Sequence, residues 1–216
     1  MVDLSLERAL LGAHGAVLGL DEVGRGALAG PLVVGAALLT SAPGEPPVGL
    51  ADSKVLTARR RDALVGPVEA WARCAVGVVT PAEIDELGMS RALRLAAERA
   101  ASRLGEPAAR CAVIVDGPYD WVGRPEPSPR SPGALAGPVT TRVKADRDCA
   151  LVAAASVVAK VYRDRVMREL DQHYPGYGFA RHVGYGTRDH RDALARRGPC
   201  PEHRLSFRLG PVEPRA

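Results

Sequence analysis

The chain has 216 residues, 46% hydrophobic and 25% charged, with a formal net charge of +4. That balance excludes a disordered chain, and no apolar run approaches the roughly 18 residues a membrane span needs. The length fits one large domain or one domain with a small appendage. The acidic start, Asp3 to Glu7, lacks the basic opening of a signal peptide. The four cysteines (Cys74, Cys111, Cys149, Cys200) form no CxxC pair, so free thiols in a reducing cytoplasm are expected.

In chain order, Ala16–Leu20 and Leu32–Leu39 read as paired strands around a Gly-rich turn, Gly24 to Pro31. Thr57–Leu64 reads as a short helix and Cys74–Val79 as a third strand. Thr80-Pro81-Ala82-Glu83 carries a capping box, with a helix to Leu87, and Ser90–Leu104 is a second, Ala/Leu/Arg-rich one. Cys111–Val115 is an apolar strand ending at Asp116-Gly117. Pro118–Pro138, with six prolines, reads as an irregular loop. Val139–Val143 is a fifth, β-branched strand, and a long helix is expected from about Asp148 to His173. Its first half is apolar all round and should be buried; its second half, Arg163 to Asp171, is charged and should meet solvent. A Gly/aromatic loop, Tyr174–Gly186, leads into a helix from Thr187 to Arg197. Strands in this order with intervening helices predict an α/β fold: a mixed five-stranded sheet flanked by helices.

Positive charge gathers at one end. Residues 179–216 hold eight Arg and four Asp or Glu, whereas the first 178 residues balance at 21 and 21. A solvated basic face and a polyanion-binding face both fit this. Arg outnumbers Lys 26 to 3, which singles out Lys54, Lys144 and Lys160.

Three apolar strands run into carboxylates: Asp21 and Glu22 after Leu20, Asp116 after Val115, and Asp146 after the Thr141–Lys144 stretch. Converging carboxylates repel unless a cation neutralises them, and oxygen-only donors suit Mg²⁺ or Mn²⁺. Two such ions are apparatus for phosphodiester hydrolysis. Adjacent Asp21 and Glu22 face opposite sides of a regular strand, so the strand is expected to end or distort if both bind metal. Paired-carboxylate glycoside hydrolysis fits poorly with a basic tail and only nine aromatic residues. A zinc site drawn from Cys200, His203, His190 and His182 matches no compact zinc spacing.

The segment Gly19-Leu20-Asp21-Glu22-Val23-Gly24-Arg25-Gly26-Ala27-Leu28-Ala29-Gly30-Pro31 resembles the opening motif of ribonuclease HII. Asp52-Ser53-Lys54, Val115-Asp116-Gly117, Lys144-Ala145-Asp146, Ala153 to Lys160 with Arg163 to Met167, Tyr174 to Thr187, and His203 to Phe207 agree in the same order. The resemblance implies a ribonuclease H-like fold and cleavage of RNA paired with DNA, including single ribonucleotides in duplex DNA, leaving 3′-hydroxyl and 5′-phosphate ends. It implies Asp21, Glu22, Asp116 and Asp146 as the metal-site acids. It further implies Gly24, Arg25 and Gly26 as readers of the 2′-hydroxyl, and Tyr185 packed on the sugar at the RNA–DNA junction. Lys54 is placed near backbone phosphate, and Lys144 and Lys160 are alternative partners of the acids. Ala145 stands where the family usually has Gly, which leaves Asp148 as the alternative fourth acid. Asp146 is preferred because it keeps the family's spacing to Ser156 and because Asp148 is well placed as the N-cap of the long helix.

The expected organisation is a catalytic domain over 1–186 with a short basic helical segment, 187–216, packed on it. A monomer free of membrane is expected, acting on RNA–DNA hybrids and on DNA duplexes containing ribonucleotides. A DNA-junction nuclease of the same fold and a non-catalytic nucleic-acid binder are the rival readings.

Overall fold

A computed structural model describes residues 2–51, 53–123 and 135–210. Most of the Pro-rich loop and the last six residues lie outside the described part, so the expectations on 124–134 and 211–216 fall there.

Five strands form one sheet: β1 (Val17–Val23), β2 (Leu32–Leu39), β3 (Arg73–Val79), β4 (Ala112–Asp116) and β5 (Val139–Arg142). Their order is β3-β2-β1-β4-β5. β1, β2 and β3 pair antiparallel, whereas β4 and β5 add in parallel. The mixed α/β sheet expected from the sequence is therefore present.

The helices are α1 (Ser5–His14), α2 (Ala58–Trp71), α3 (Pro81–Leu87), α4 (Met89–Leu104), α5 (Glu106–Arg110), α6 (Ala145–Asp148), α7 (Ala150–His173), α8 (Phe179–His182) and α9 (Arg188–Arg197). The capping box forms as read: Glu83 N–H donates to Thr80 Oγ1 at 3.3 Å and Thr80 N–H to Glu83 Oε2 at 2.9 Å.

The period-two alternation of β1 divides the molecule. Leu18 and Leu20 join a cluster with α4, while Val17 packs with Leu151–Ala155 of α7 on the other face. α7 lies unusually close to the sheet. A Cβ added to Gly19 or Gly35 would strike the α7 backbone at Leu151 or Ala155. The run Ala153-Ala154-Ala155 on the helix supplies the matching small surface, and every residue from Ala150 to Val157 is buried.

Two expectations about α7 are corrected. Asp148 does not cap it. The N-cap is Cys149 with no side-chain bond, and Glu7 of α1 accepts from Leu151 N–H at 3.0 Å instead. The second half does not simply emerge into solvent, because Arg163 is fully buried. A guanidinium tolerates burial when its donors are matched. Here Nε donates to the Pro31 carbonyl at 2.9 Å, and the two terminal nitrogens donate to Val183 and Ala29 at 2.8 and 3.1 Å.

A third apolar cluster joins Leu28 and Ala29 to Met167, Tyr177, Phe179, Ala193 and Leu194. It carries α8 and α9 to the end of the sheet at which β1 delivers its acids. The four cysteines are free. Among the described residues, no helix is long and apolar enough to cross a membrane.

Candidate active site

Asp21 lies in β1 on the α7 face, two residues beyond Gly19, and is 3% exposed. Ser156 of α7 hydrogen-bonds its carboxylate. Burial, with Glu22 and Asp116 nearby, nevertheless pushes Asp21 up to about 7. Glu22 follows on the other face of the strand and is also raised, chiefly by burial and against the opposing pull of Arg25. The expected end or distortion of the strand is not found: β1 continues to Val23 in unbroken register with β2. Asp21 and Glu22 lie within the last three residues of β1, and Asp116, the last residue of β4, interacts electrostatically with both.

Asp116 accepts the Ala145 N–H at 2.7 Å, which ties β4 to the start of α6. One residue on, Asp146 is 3% exposed and forms an ion pair with Lys54 at 2.9 Å. The neighbour of Lys54, Ser53, meets Ser156 at 2.7 Å between hydroxyl oxygens. Asp21, Ser156, Ser53, Lys54 and Asp146 thus form one connected polar path. Asp148 lies apart from it, half-exposed and paired with Arg142 at 3.1 Å. Of the other lysines, Lys160 pairs with Asp164 at 2.6 Å, while Lys144 holds the left-handed turn before α6 at φ 62°.

Among the described residues, no three His, Cys, Asp or Glu side chains are gathered closely enough to hold a metal ion together. The donor set still fits hard divalent cations. Its donors are carboxylate oxygens, and burial, with Asp116 adding at both, holds Asp21 and Glu22 above the usual carboxylate range despite Lys54 and Arg25 nearby.

The turn after β1 forms the second half of the site. Gly24 has φ 86°, and a Cβ there would run into the Arg163 guanidinium. Gly26 has open space around it for 4 Å. A side chain at Gly26 would therefore meet nothing, whereas Gly24 is dictated by backbone conformation and by Arg163. The Arg25 side chain is mostly exposed and reaches back to Glu22 at 3.5 Å.

Tyr185 is brought to this turn by main-chain bonds, since Leu28 N–H donates to the Gly184 carbonyl at 2.8 Å. The residue is 38% exposed, and its ring lies against Arg163, 5.8 Å from guanidinium carbon to ring centroid.

Two residues without a sequence-derived role organise this half. Arg163 holds the carbonyls of Ala29 and Pro31. Arg204, also fully buried, donates to the carbonyls of Arg25 and Gly30 at 2.9 to 3.2 Å. Both lie in segments that carried the resemblance, but nothing in residue type separates a buried arginine from a surface one in a chain with 26 of them.

The Cys200 and histidine group does not form a zinc site. Its nitrogens are committed to one another and to main chain, with His190 and His203 meeting at 3.1 Å between Nε2 atoms.

A family model for ribonuclease HII matches residues 18–209. A ribonuclease HII of Streptomyces avermitilis is 46% identical over 206 residues, covering 94% of this chain and 82% of the relative. One from Thermus thermophilus is 49% identical over 192 residues, covering 88% and 85%. A crystal structure of ribonuclease H2 from Pyrococcus horikoshii superposes with a TM-score of 0.65 at 26% identity, over 90% of this chain and 94% of that one. The ribonuclease H-like fold expected from the resemblance is thereby established, and the chain belongs to the ribonuclease HII family, an endonuclease and hydrolase acting on RNA–DNA hybrids.

Proposed function

We propose that the chain cuts on the 5′ side of single ribonucleotides embedded in duplex DNA, as well as within RNA–DNA hybrids, with 3′-hydroxyl and 5′-phosphate ends as products. The observation that carries this reading is the adjacency of two separate devices: the acids of β1, β4 and α6, and the Gly24–Gly26 turn joined to Tyr185. Hydrolysis alone needs only the first. A choice of ribonucleotide needs groups that meet the 2′-hydroxyl, the one feature that separates RNA from DNA at a given position.

Asp21, Glu22, Asp116 and Asp146 are the residues that would hold two divalent cations, Mg²⁺ or Mn²⁺. When bound, such ions activate the attacking water and stabilise charge on the phosphate and leaving oxygen. Ser156 and Ser53 orient Asp21 and the Lys54 segment. Lys54, mostly exposed although paired with Asp146, is a compact cation able to exchange that partner for backbone phosphate. Open space at Gly26 admits a sugar to the main chain of the turn, and Arg25 lies exposed beside it. The Tyr185 ring packs on the neighbouring deoxyribose. The basic segment 187–216 assists by holding phosphate, and a cytoplasmic monomer fits this role.

The deciding experiment compares three duplexes: all-DNA, RNA–DNA, and DNA with one ribonucleotide. Cleavage of the last two but not the first, abolished by EDTA and restored by Mg²⁺ or Mn²⁺, is the expected result. Cleavage of the hybrid alone would remove the embedded-ribonucleotide activity, and full activity in EDTA would remove the two-metal mechanism.

A further inference from the structure

Three histidines lie in the apolar cluster beneath Tyr185: His190 is 0% exposed, His203 2% and His182 8%. A Leu or Phe would offer neither donor nor acceptor here. A neutral imidazole adds one donor and one acceptor on opposite sides of a rigid ring.

Main-chain groups decide which nitrogen carries each proton. Cys200 N–H can only donate, and it points at His203 Nδ1 at 3.0 Å. His203 Nδ1 is therefore an acceptor, and its proton is on Nε2. The Cys200 carbonyl, 3.3 Å from the same Nδ1, already accepts the His203 N–H at 3.0 Å. His203 Nε2–H faces His190 Nε2 at 3.1 Å, so that nitrogen accepts. The His190 proton is then on Nδ1, 3.0 Å from the Tyr185 carbonyl, which also accepts from Thr187 N–H at 2.8 Å. His182 follows the same logic separately. Its Nδ1 accepts from Gly184 N–H at 3.2 Å and its Nε2–H donates to the Tyr177 carbonyl at 2.8 Å.

The path therefore has a direction, from the Cys200–His203 turn through two rings to Tyr185. It also has a second anchor, because His203 forms a bridge with Ala29 in the turn after β1, and Arg204 N–H donates to the Leu28 carbonyl at 2.9 Å. The Tyr185 main chain is thus tied through His190 and His203 to the turn that carries Gly24–Gly26.

We propose that His190 and His203 are positioning residues: a two-imidazole hydrogen-bond relay that sets Tyr185 against the ribonucleotide-reading turn and so sharpens selection of an isolated ribonucleotide. The proposal rests on the reading of Tyr185 as the residue that packs on the sugar. It requires both rings to be neutral, since a proton on His190 Nε2 would face the His203 N–H. The surroundings favour neutrality. The His182 ring stacks on His190 with centroids 4.4 Å apart, and Arg191 lies on the same helix. Arg204 follows His203 in the chain and Arg163 lies under Tyr185. Cys200 is a thiol held high by burial, and the neighbouring Glu202 is likewise raised. Burial lowers both His190 and His203.

The test compares His190→Phe with His190→Asn. An Asn amide can replace the Nδ1 donor toward Tyr185, whereas Phe removes it. One hydrogen bond predicts that His190→Phe lowers kcat/KM on a single-ribonucleotide duplex by roughly 3- to 10-fold more than on a long hybrid. Metal affinity by calorimetry should hold, and Asn should recover most of the ratio. Equal losses on both substrates, with Asn no better than Phe, would reduce the rings to core filling. Nitrogen-15 NMR of the wild type reads the tautomers without any variant: His203 protonated at Nε2 and His190 at Nδ1 supports the relay, and the reverse pattern overturns it. Tyr185→Ala in parallel separates the two claims. Equal loss on both substrates there overturns the sugar-packing reading, whereas a changed ratio for Tyr185→Ala beside an unchanged one for His190→Phe overturns the relay alone.

Discussion

The two halves of the site solve opposite electrostatic problems. At the strand ends, Asp21 and Glu22 are raised chiefly by burial, with Asp116 adding to both, and the nearby cations are Lys54 on Asp146 and Arg25 on Glu22. Around the turn, Arg163 and Arg204 are buried against main-chain carbonyls, and the histidines donate to carbonyls or to each other. The acid half keeps two buried carboxylates raised despite those cations and is suited to take up further positive charge. The basic half satisfies its own donors and is suited to hold a shape. Damage to the first should appear in turnover, and damage to the second in stability and selectivity.

The sharpest way to break this contrast is Asp21→Asn or Asp116→Asn. Turnover should fall by several orders of magnitude, with unfolding stability unchanged or higher because a repelling charge is gone. Near-normal turnover would remove that residue from the chemistry. Arg163→Met should do the reverse. It leaves three carbonyls without their donor, at a cost of about 3 kcal/mol or more in urea unfolding. A smaller cost with intact substrate preference would show that the turn keeps its shape unaided.

Acid should also act on the basic half through His190. Burial chiefly lowers it from 6.5 to about 4. Between those pH values the unfolded chain takes up a proton that the folded one refuses, so stability falls as pH drops through that window. The loss is up to about 3 kcal/mol and complete near the folded value. His190→Asn, which does not titrate, should lose less stability between pH 7 and pH 4.5. Parallel curves would place the acid sensitivity elsewhere. The smallest effect separates two glycines. Gly24→Ala should cost about 1–2 kcal/mol for its left-handed backbone, with the clash at Arg163 added, whereas Gly26→Ala should leave stability intact and lower only ribonucleotide cleavage. Equal destabilisation by both would contradict the open space at Gly26.

Much of the fold was legible because its signals are local. The strands before Asp21 and Asp116 are apolar runs, and the Thr80–Glu83 box marks a helix start within four residues. α1 was missed because it carries no such mark: Leu4 stands at its N-cap with no side-chain bond. That helix is tied in place through Glu7, whose partner Leu151 is 144 positions away. Asp148 failed as a cap for the same kind of reason. Its carboxylate had a better partner in Arg142, and the helix end was served from α1.

By itself the sequence determined the chemistry available: carboxylates after apolar strands, a Gly-Arg-Gly turn, and a family pattern spanning nearly the whole chain. These are matters of residue type and spacing, which a linear reading can hold. Tertiary structure alone decided how the groups are used. Asp146 joins Asp21 through Lys54, Ser53 and Ser156, while Asp148 turns aside. Gly24 packs against Arg163, whereas Gly26 faces open space. Arg163 goes inward although its neighbours are charged, because only the folded chain brings the carbonyls of Ala29, Pro31 and Val183 within reach of one guanidinium. Burial of a charge depends on donors and acceptors distant in sequence, and no local pattern encodes them.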